Sequence, residues 1–185
     1  MPQLPPVPGW DAMHPLLIHF PIVLLLLAPL FVLIATILRP PRNRPYMTVA
    51  LIMLLLGTLS LFFAASSGEE AAELADRDGG INAIISTHQA LASTCEIFFS
   101  VLSACFAGIY IWPRVSRRLE TRIISTVVPL VFVCLYSLGL LYLINTAHAG
   151  GRLVHEFGVH AMMPQDTTPA AERVPSKASE AGKGD

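Results

Sequence analysis

The sequence predicts an all-α integral membrane protein, an up-down-up-down bundle of four transmembrane helices. Of its 185 residues, 54% are hydrophobic and only 14% are charged. Its mean hydropathy of +0.60 is also typical of membrane proteins rather than soluble domains. Four apolar stretches reach the roughly 20 residues that a helix needs to cross a hydrocarbon core of about 30 Å. Short connections between these stretches favour antiparallel neighbours.

The apolar stretches define the expected organisation of the chain, and they run at about residues 16–38, 46–67, 83–112 and 123–147. We expect residues 14–160 to form one transmembrane domain, preceded by a short segment at 1–13. A tail at 161–185 is rich in Pro, Ala and alternating charges, so it is predicted to be disordered. Residues 69–74 are expected to form a short amphipathic helix at the membrane interface. The sequence shows no convincing internal repeat.

The arginines predict the orientation in the membrane. Seven of the twelve basic residues follow the first or third stretch, namely Arg39, Arg42, Arg44, Arg114, Arg117, Arg118 and Arg122. The positive-inside rule places these connections in the cytoplasm, so both termini are expected outside. We therefore predict a multi-pass protein of the bacterial inner membrane with periplasmic N- and C-termini. The net charge of −1 gives no indication of nucleic-acid binding.

All six histidines lie on the predicted outer side. His14 and His19 open the first stretch, His88 opens the third, and His148 closes the fourth. At about 1.5 Å of rise per residue, His19, His88 and His148 are expected at similar depth on three helices. We expect His19 to point into the bundle and His14 to lie at the boundary, as an alternative ligand or a support for one.

These histidines predict a b-type haem with two axial imidazole ligands. One ligand is expected from the first or third helix, facing one from the fourth. Gly150 and Gly151 favour haem because they permit close approach of the backbone to a porphyrin. Arg152 is expected to pair with a haem propionate. Such a protein is more typically an electron carrier than a stand-alone enzyme, with a redox protein or a quinone as its partner.

Two other interpretations remain open. The same histidines suit copper, zinc or iron, with Met13, Met162 and Met163 nearby as soft donors. Alternatively, the chain is a cofactor-free accessory subunit of a larger membrane complex or a homo-oligomer. Its histidines and prolines would then only fix helix ends and protein contacts. Outside the apolar stretches, neither a Ser/His/Asp arrangement nor a Gly-rich phosphate motif indicates hydrolytic chemistry.

Glu96 is a second candidate functional residue because it is a carboxylate within a predicted membrane span. It belongs to a polar stripe on one face of the third helix, formed by Gln89, Ser93, Glu96, Ser100 and Ser103. The stripe is expected to face the bundle interior. Glu96 is predicted to be a proton relay for a redox centre, or a hydrogen-bond donor to Tyr136 or Ser137.

Four segments of the chain carry a family resemblance: "HPLLIHFPIVLLLL", "SGEEAAEL", "THQALAS" and "AHAGGRLVHEFGV". They resemble, in this order, the signature segments of a bacterial four-helix membrane domain, domain of unknown function 2231, over about residues 13–159. The motif positions that match are His14, Pro15, His19, Phe20, Pro21, Gly150, Gly151, Val154 and Gly158. His88 matches a histidine common at the third helix, whereas His155 stands where members usually have tyrosine. The resemblance implies the four-helix fold and favours haem- or redox-associated roles without implying a particular activity.

Overall fold

The computed structural model describes residues 7–75, 79–115 and 122–159. A 3-10 turn at Asp11–Met13 leads into helices at His14–Leu17, His19–Ile37, Arg44–Leu74, Gly79–Val115 and Arg122–His155. No strand occurs within the described ranges, so the predicted all-α fold is confirmed. The predicted tail at 161–185 and residues 1–6 of the predicted segment at 1–13 lie outside those ranges.

Four segments are long and apolar enough to cross a membrane, and we number them as the first to fourth spans: Asp11–Ile37, Arg44–Leu74, Gly80–Trp112 and Ser125–His155. Their number confirms the prediction of four transmembrane helices. The helices extend past the predicted stretches at one end of the bundle. The second span runs unbroken through Gly68, so residues 69–74 continue it rather than forming a separate helix. The fourth span likewise continues through Gly150 and Gly151.

The spans form a ring in which each contacts the next along the chain and the first contacts the fourth. The first and third spans are therefore diagonal partners, as are the second and fourth. We call the end that contains His14, Gly68, His88 and Gly150 the histidine end. Side chains of diagonal spans meet at the centre of the ring, where the interior is fully buried. The outward faces expose many large apolar side chains, as expected for contact with lipid.

A hydrogen bond in the buried interior joins the first span to the fourth. Pro29 lacks a backbone N–H, so it cannot donate to the carbonyl of Leu25 four residues earlier. Tyr136 on the fourth span donates its hydroxyl to that carbonyl over 2.8 Å. Hydrocarbon provides no water to satisfy such a group. The tyrosine therefore compensates for the proline and fixes the two spans against each other.

The two halves of the bundle repeat one burial pattern. A shift of 74 residues, which relates His14 to His88, superimposes five of the seven buried positions of the first span on buried positions of the third. These positions are Pro21, Leu25, Ala28, Pro29 and Val32 on one side and Cys95, Phe99, Leu102, Ser103 and Phe106 on the other. A shift of 82 residues, which relates Gly68 to Gly150, superimposes six of the eight buried positions of the second span on buried positions of the fourth. That set pairs Met47, Ala50, Leu54, Gly57, Leu61 and Ser67 with Pro129, Phe132, Tyr136, Gly139, Leu143 and Ala149.

Contacts repeat together with burial. Gly57 lies so close to Leu25 that a Cβ would come within 2.7 Å of that side chain. At the positions related by the two shifts, Gly139 would bring a Cβ within 3.1 Å of Phe99. The first helical hairpin and the second are therefore quasi-equivalent, related by a two-fold axis along the bundle. The repeat is hidden in the sequence because most paired residues, such as Leu25 and Phe99, differ in type.

Replacement of Tyr136 with phenylalanine tests the bond that compensates for Pro29. Y136F removes only the hydroxyl, so the free energy of unfolding is expected to fall by about 1 kcal/mol. Reversible unfolding in detergent, followed by circular dichroism, measures the change. Y142F is the matched control, since Tyr142 is exposed on the same span. Equal stability of the two variants would contradict the role assigned to Tyr136.

Candidate functional site at the histidine end

A cavity of about 900 Å³ lies between the four spans at the histidine end, and most of its wall is apolar. The wall follows the repeat. On the first span and the turn that begins it, the lining residues include Asp11, His14, Pro15, Ile18, Pro21 and Ile22. Their counterparts at a shift of 74 residues are Ile85, His88, Gln89, Ala92, Cys95 and Glu96, and all of them line the cavity too. The cavity therefore lies on the quasi-two-fold axis.

His14 and His88 are held in the same way by neighbouring spans. Nδ1 of His14 lies 2.8 Å from the carbonyl oxygen of Ala64, and Nδ1 of His88 lies 2.9 Å from that of Thr146. A carbonyl oxygen only accepts hydrogen bonds, so each Nδ1 must be the protonated nitrogen. Each neutral ring therefore has its lone pair at Nε2, on the side turned away from the backbone that holds it. Ser67 adds a second contact at 3.2 Å to Nδ1 of His14.

A glycine makes room for each ring. Gly68 and Gly150 each follow the acceptor carbonyl by four residues, one helical turn. A Cβ at Gly68 would come within 2.8 Å of the His14 ring, and one at Gly150 within 3.0 Å of the His88 ring. Gly150 thus accommodates a histidine, where we had expected direct approach to a porphyrin. Gly151 faces open space and lines the cavity.

The two imidazoles meet across the axis. Their ring centroids are 6.4 Å apart and their planes are almost perpendicular, at 89°. Both rings are half-buried and line the cavity. None of the described residues hydrogen-bonds Nε2 of either ring. Two lone pairs from diagonally opposite spans are therefore available to a ligand in the cavity.

His19 and His148 lie elsewhere. Both side chains are exposed, and neither lines the cavity. The prediction that His19 points into the bundle was therefore wrong. The prediction rested on depth alone. Five residues along a helix of 3.6 residues per turn rotate His19 by about 140° from His14, so the two side chains lie on different faces of the span. His148 precedes Gly150 by two residues, which places it on nearly the opposite face of the fourth span.

Arg152 also lies outside the cavity lining. Its guanidinium Nε donates to both carboxylate oxygens of Glu156, at 3.0 and 2.9 Å. This interaction lowers the pKa of the Glu156 carboxyl. The pair is exposed, one helical turn apart on the surface. Its arrangement does not support the predicted role of Arg152 as a propionate partner.

Glu96 lines the cavity together with Gln89 and Ser93, the two residues of the polar stripe nearest the histidine end. Glu96 and Gln89 are half-buried. Deeper in the bundle the stripe meets the second span, where Ser103 lies 2.8 Å from the hydroxyl of Thr58. The polar stripe therefore begins at the cavity and ends at a buried hydroxyl pair.

The expected hydrogen bond from Glu96 to Tyr136 or Ser137 does not form. Tyr136 donates to the carbonyl of Leu25, and Ser137 donates to that of Val133. No described residue hydrogen-bonds the carboxylate of Glu96. Among the described residues, this side chain thus has no hydrogen-bond partner in the cavity wall.

Within the described residues, no group of three or more His, Cys, Asp or Glu side chains is placed to hold a metal ion. Cys95 is buried beside the cavity, with its Sγ 3.4 Å from the hydroxyl of Thr146. Met13 does not line the cavity. His160, Met162 and Met163 lie outside the described residues.

The sequence profile of one family, described as a predicted membrane protein (DUF2231), matches residues 11–163. The chain belongs to the DUF2231 family. This match confirms the resemblance found in the four signature segments, and it includes all four spans of the DUF2231 domain. Both histidine–glycine pairs lie within the matched residues. No curated protein and no solved structure matches the chain significantly.

Substitution of the site glycines tests whether they position the histidines. G68A and G150A place a methyl group against an imidazole, so each is expected to lower the free energy of unfolding by about 1–3 kcal/mol. G151A is the matched control, since a Cβ there meets nothing within 4 Å. Because alanine favours a helix over glycine, G151A is expected to be neutral or slightly stabilising. Thermal unfolding in detergent compares the three, and equal stability would contradict the proposed contacts.

Proposed function

We propose that this DUF2231 protein binds a b-type haem between His14 and His88 and transfers electrons at the histidine end of the bundle. The observation that supports this best is the pair of imidazoles on diagonal spans, which both line the cavity and whose Nε2 atoms are not hydrogen-bonded by any described residue. Haem would supply one-electron redox chemistry. The chain would supply the axial ligands, their orientation and the surrounding apolar wall.

The separation of the rings suits a single metal between them. Two imidazoles that bind one metal from opposite sides, with metal–nitrogen distances of about 2.1 Å, have ring centres about 6.5 Å apart. The observed distance is 6.4 Å. A metal on the quasi-two-fold axis would be equidistant from both rings. The repeat therefore favours equivalent roles for His14 and His88.

The hydrogen bonds at Nδ1 also support a ligand role. Histidines that bind metals almost always donate their other ring N–H to a carbonyl, carboxylate or water. Such a bond fixes the tautomer and the ring orientation, and it makes the free nitrogen a better electron donor. His14 and His88 both have this arrangement, with backbone carbonyls as the acceptors.

The number of available ligands favours haem over a bare metal ion. Structural zinc takes four protein ligands, and catalytic zinc commonly takes three. The cavity offers two imidazoles, whereas a haem brings four pyrrole nitrogens of its own. The volume of the cavity, about 900 Å³, lies within the range of about 300–1,000 Å³ that is typical of cofactor pockets. No Lys or Arg is among the described lining residues. The propionates of a bound haem would therefore extend into water at the histidine end.

The physiological setting is part of the same proposal. The distribution of arginines supports a bacterial inner membrane location with the histidine end towards the periplasm. An electron partner would then approach from that side as a redox protein, or from the bilayer as a quinone. A larger membrane complex or a homo-oligomer is compatible with either partner.

The visible spectrum of purified protein, expressed with an adequate haem supply, tests the proposal. We expect a Soret band and a reducible α band, with one haem per chain. H14A and H88A are each expected to lower haem content by about tenfold or more, because either change removes an axial ligand. H19A and H148A are the matched controls and are expected to retain haem, since both side chains are exposed.

A colourless wild-type protein would overturn the proposal, as would full haem content in H14A or H88A. Metal analysis of the same preparation identifies the alternative. Stoichiometric copper, zinc or iron without haem would indicate a metal-binding module. Absence of both haem and metal would indicate an accessory subunit.

A further inference from the structure

The cavity wall departs from the repeat on one side. Glu69, Gln89, Ser93 and Glu96 line the cavity where the second and third spans meet, and we call this set the polar side. The shifts of 82 and 74 residues relate Glu69, Gln89 and Glu96 to Gly151, Pro15 and Ile22, which also line the cavity, and Ser93 to His19, which does not. Glu69 and Glu96 thus place two carboxyl groups between the second and third spans, where their counterparts have no ionisable side chain.

The polar side extends from the aqueous surface towards the membrane interior. Glu69 is exposed, and it adjoins Gly68, which contacts the His14 ring. Ser93 and Glu96 follow Gln89 by four and seven residues, so they lie on one face, one and two turns deeper. Water in a cavity of this size can bridge polar groups that are too far apart for direct hydrogen bonds. The polar side therefore offers a route for protons from the histidine end to Glu96.

Glu96 is suited to bind a proton rather than to hold a fixed partner. Its carboxylate is half-buried on a largely apolar wall, and no described residue hydrogen-bonds it. It follows His88 by eight residues, which places it about 12 Å further along the helix. An ionisable group at such a depth in a membrane span is costly, and it typically marks a proton or ion pathway.

We infer that reduction of the group held by His14 and His88 is coupled to uptake of one proton by Glu96, from the water at the histidine end and along the polar side. The inference rests on the proposed haem. One electron from a one-electron donor converts ferric to ferrous iron, and one proton converts the Glu96 carboxylate to the carboxylic acid. The net charge in the cavity is therefore the same before and after the step.

The expected coupling follows from Coulomb's law. The rise of about 12 Å from His88 to Glu96 along the helix serves as the distance between the redox centre and the carboxyl group. At this distance and an effective dielectric constant of about 20, one added electron changes the proton affinity of Glu96 about tenfold. For a one-electron couple, a tenfold change corresponds to about 59 mV. At a pH where Glu96 is ionised in both redox states, the midpoint potential is therefore about 59 mV lower than at a pH where Glu96 is protonated in both.

The cavity wall also contains other ionisable side chains. They are Asp11 and His14 at the first span, Glu69 on the second, His88 and Cys95 on the third, and His155 on the fourth. The contribution of Glu96 is thus the difference between wild type and a Glu96 variant, rather than the total slope.

Redox titration of the haem-loaded full-length protein, over mildly acidic to mildly alkaline pH, tests the coupling. Wild type is expected to lose about 59 mV of midpoint potential as Glu96 ionises. E96Q is expected to lose this component while keeping its α band and haem content. E96I provides a second variant, because Ile22 occupies the equivalent position in the first half. E73Q is the matched control, since Glu73 is exposed on the second span and does not line the cavity.

A full pH dependence in E96Q or E96I, with haem still bound, would overturn the inference, and so would a wild-type potential that does not change with pH. Both outcomes leave the haem proposal intact, because the spectrum reports haem independently of the slope. Wild-type protein without haem would refute the proposed function, and the inference with it.

Discussion

The structure depends above all on a hydrogen bond from an imidazole to a carbonyl within a neighbouring helix. Such a carbonyl normally accepts the N–H four residues later, and the side chain of that later residue covers it. With glycine at this later position, the second lone pair of the carbonyl is open to a donor from another span. Gly68 exposes the carbonyl of Ala64 to His14, and Gly150 exposes the carbonyl of Thr146 to His88. The bond ties neighbouring spans together at the histidine end, fixes the tautomer and leaves Nε2 as the nitrogen with the lone pair.

The repeat explains why this interaction occurs twice. Diagonal spans do not touch through their backbones, so the centre of the ring must be filled by side chains from equivalent positions. Away from the histidine end, aromatic residues of the third and fourth spans fill the centre of the ring. Phe99 and Tyr136 pack edge to face there, with their ring centroids 5.4 Å apart. Near the histidine end the second span contributes mainly small wall residues, namely Ala64, Ala65, Gly68, Ala71 and Ala72, and the cavity forms. Packing and cavity are thus two outcomes of the same two-fold arrangement, decided by side-chain volume.

Hydropathy and spacing predict the fold but leave the site incomplete. Four spans, their antiparallel order and the family follow from composition and motifs. Residue spacing also predicts the depth of a side chain along a helix. Depth alone favours His19 over His14 as the residue that points into the bundle, because it does not show which way each side chain faces. The rotation becomes visible in the structure, where buried positions follow both His14 and His88 at 7, 11, 14 and 18 residues. The acceptor carbonyls of Ala64 and Thr146 have no sequence signature, since any residue supplies a carbonyl.

The near-equivalence of the cavity walls also bears on how a ligand enters. A flat ligand without two-fold symmetry of its own can insert in either of two orientations, related by a half-turn about the bundle axis. The contacts of the two orientations differ wherever paired wall residues differ, as they do at Glu96 and Ile22, at Glu69 and Gly151, and at Asp11 and Ile85. Orientational isomers are therefore separated in free energy by the pairs of wall residues that differ. The polar side, which carries two carboxyl groups where its counterpart positions have none, thus contributes to selecting how a bound molecule faces.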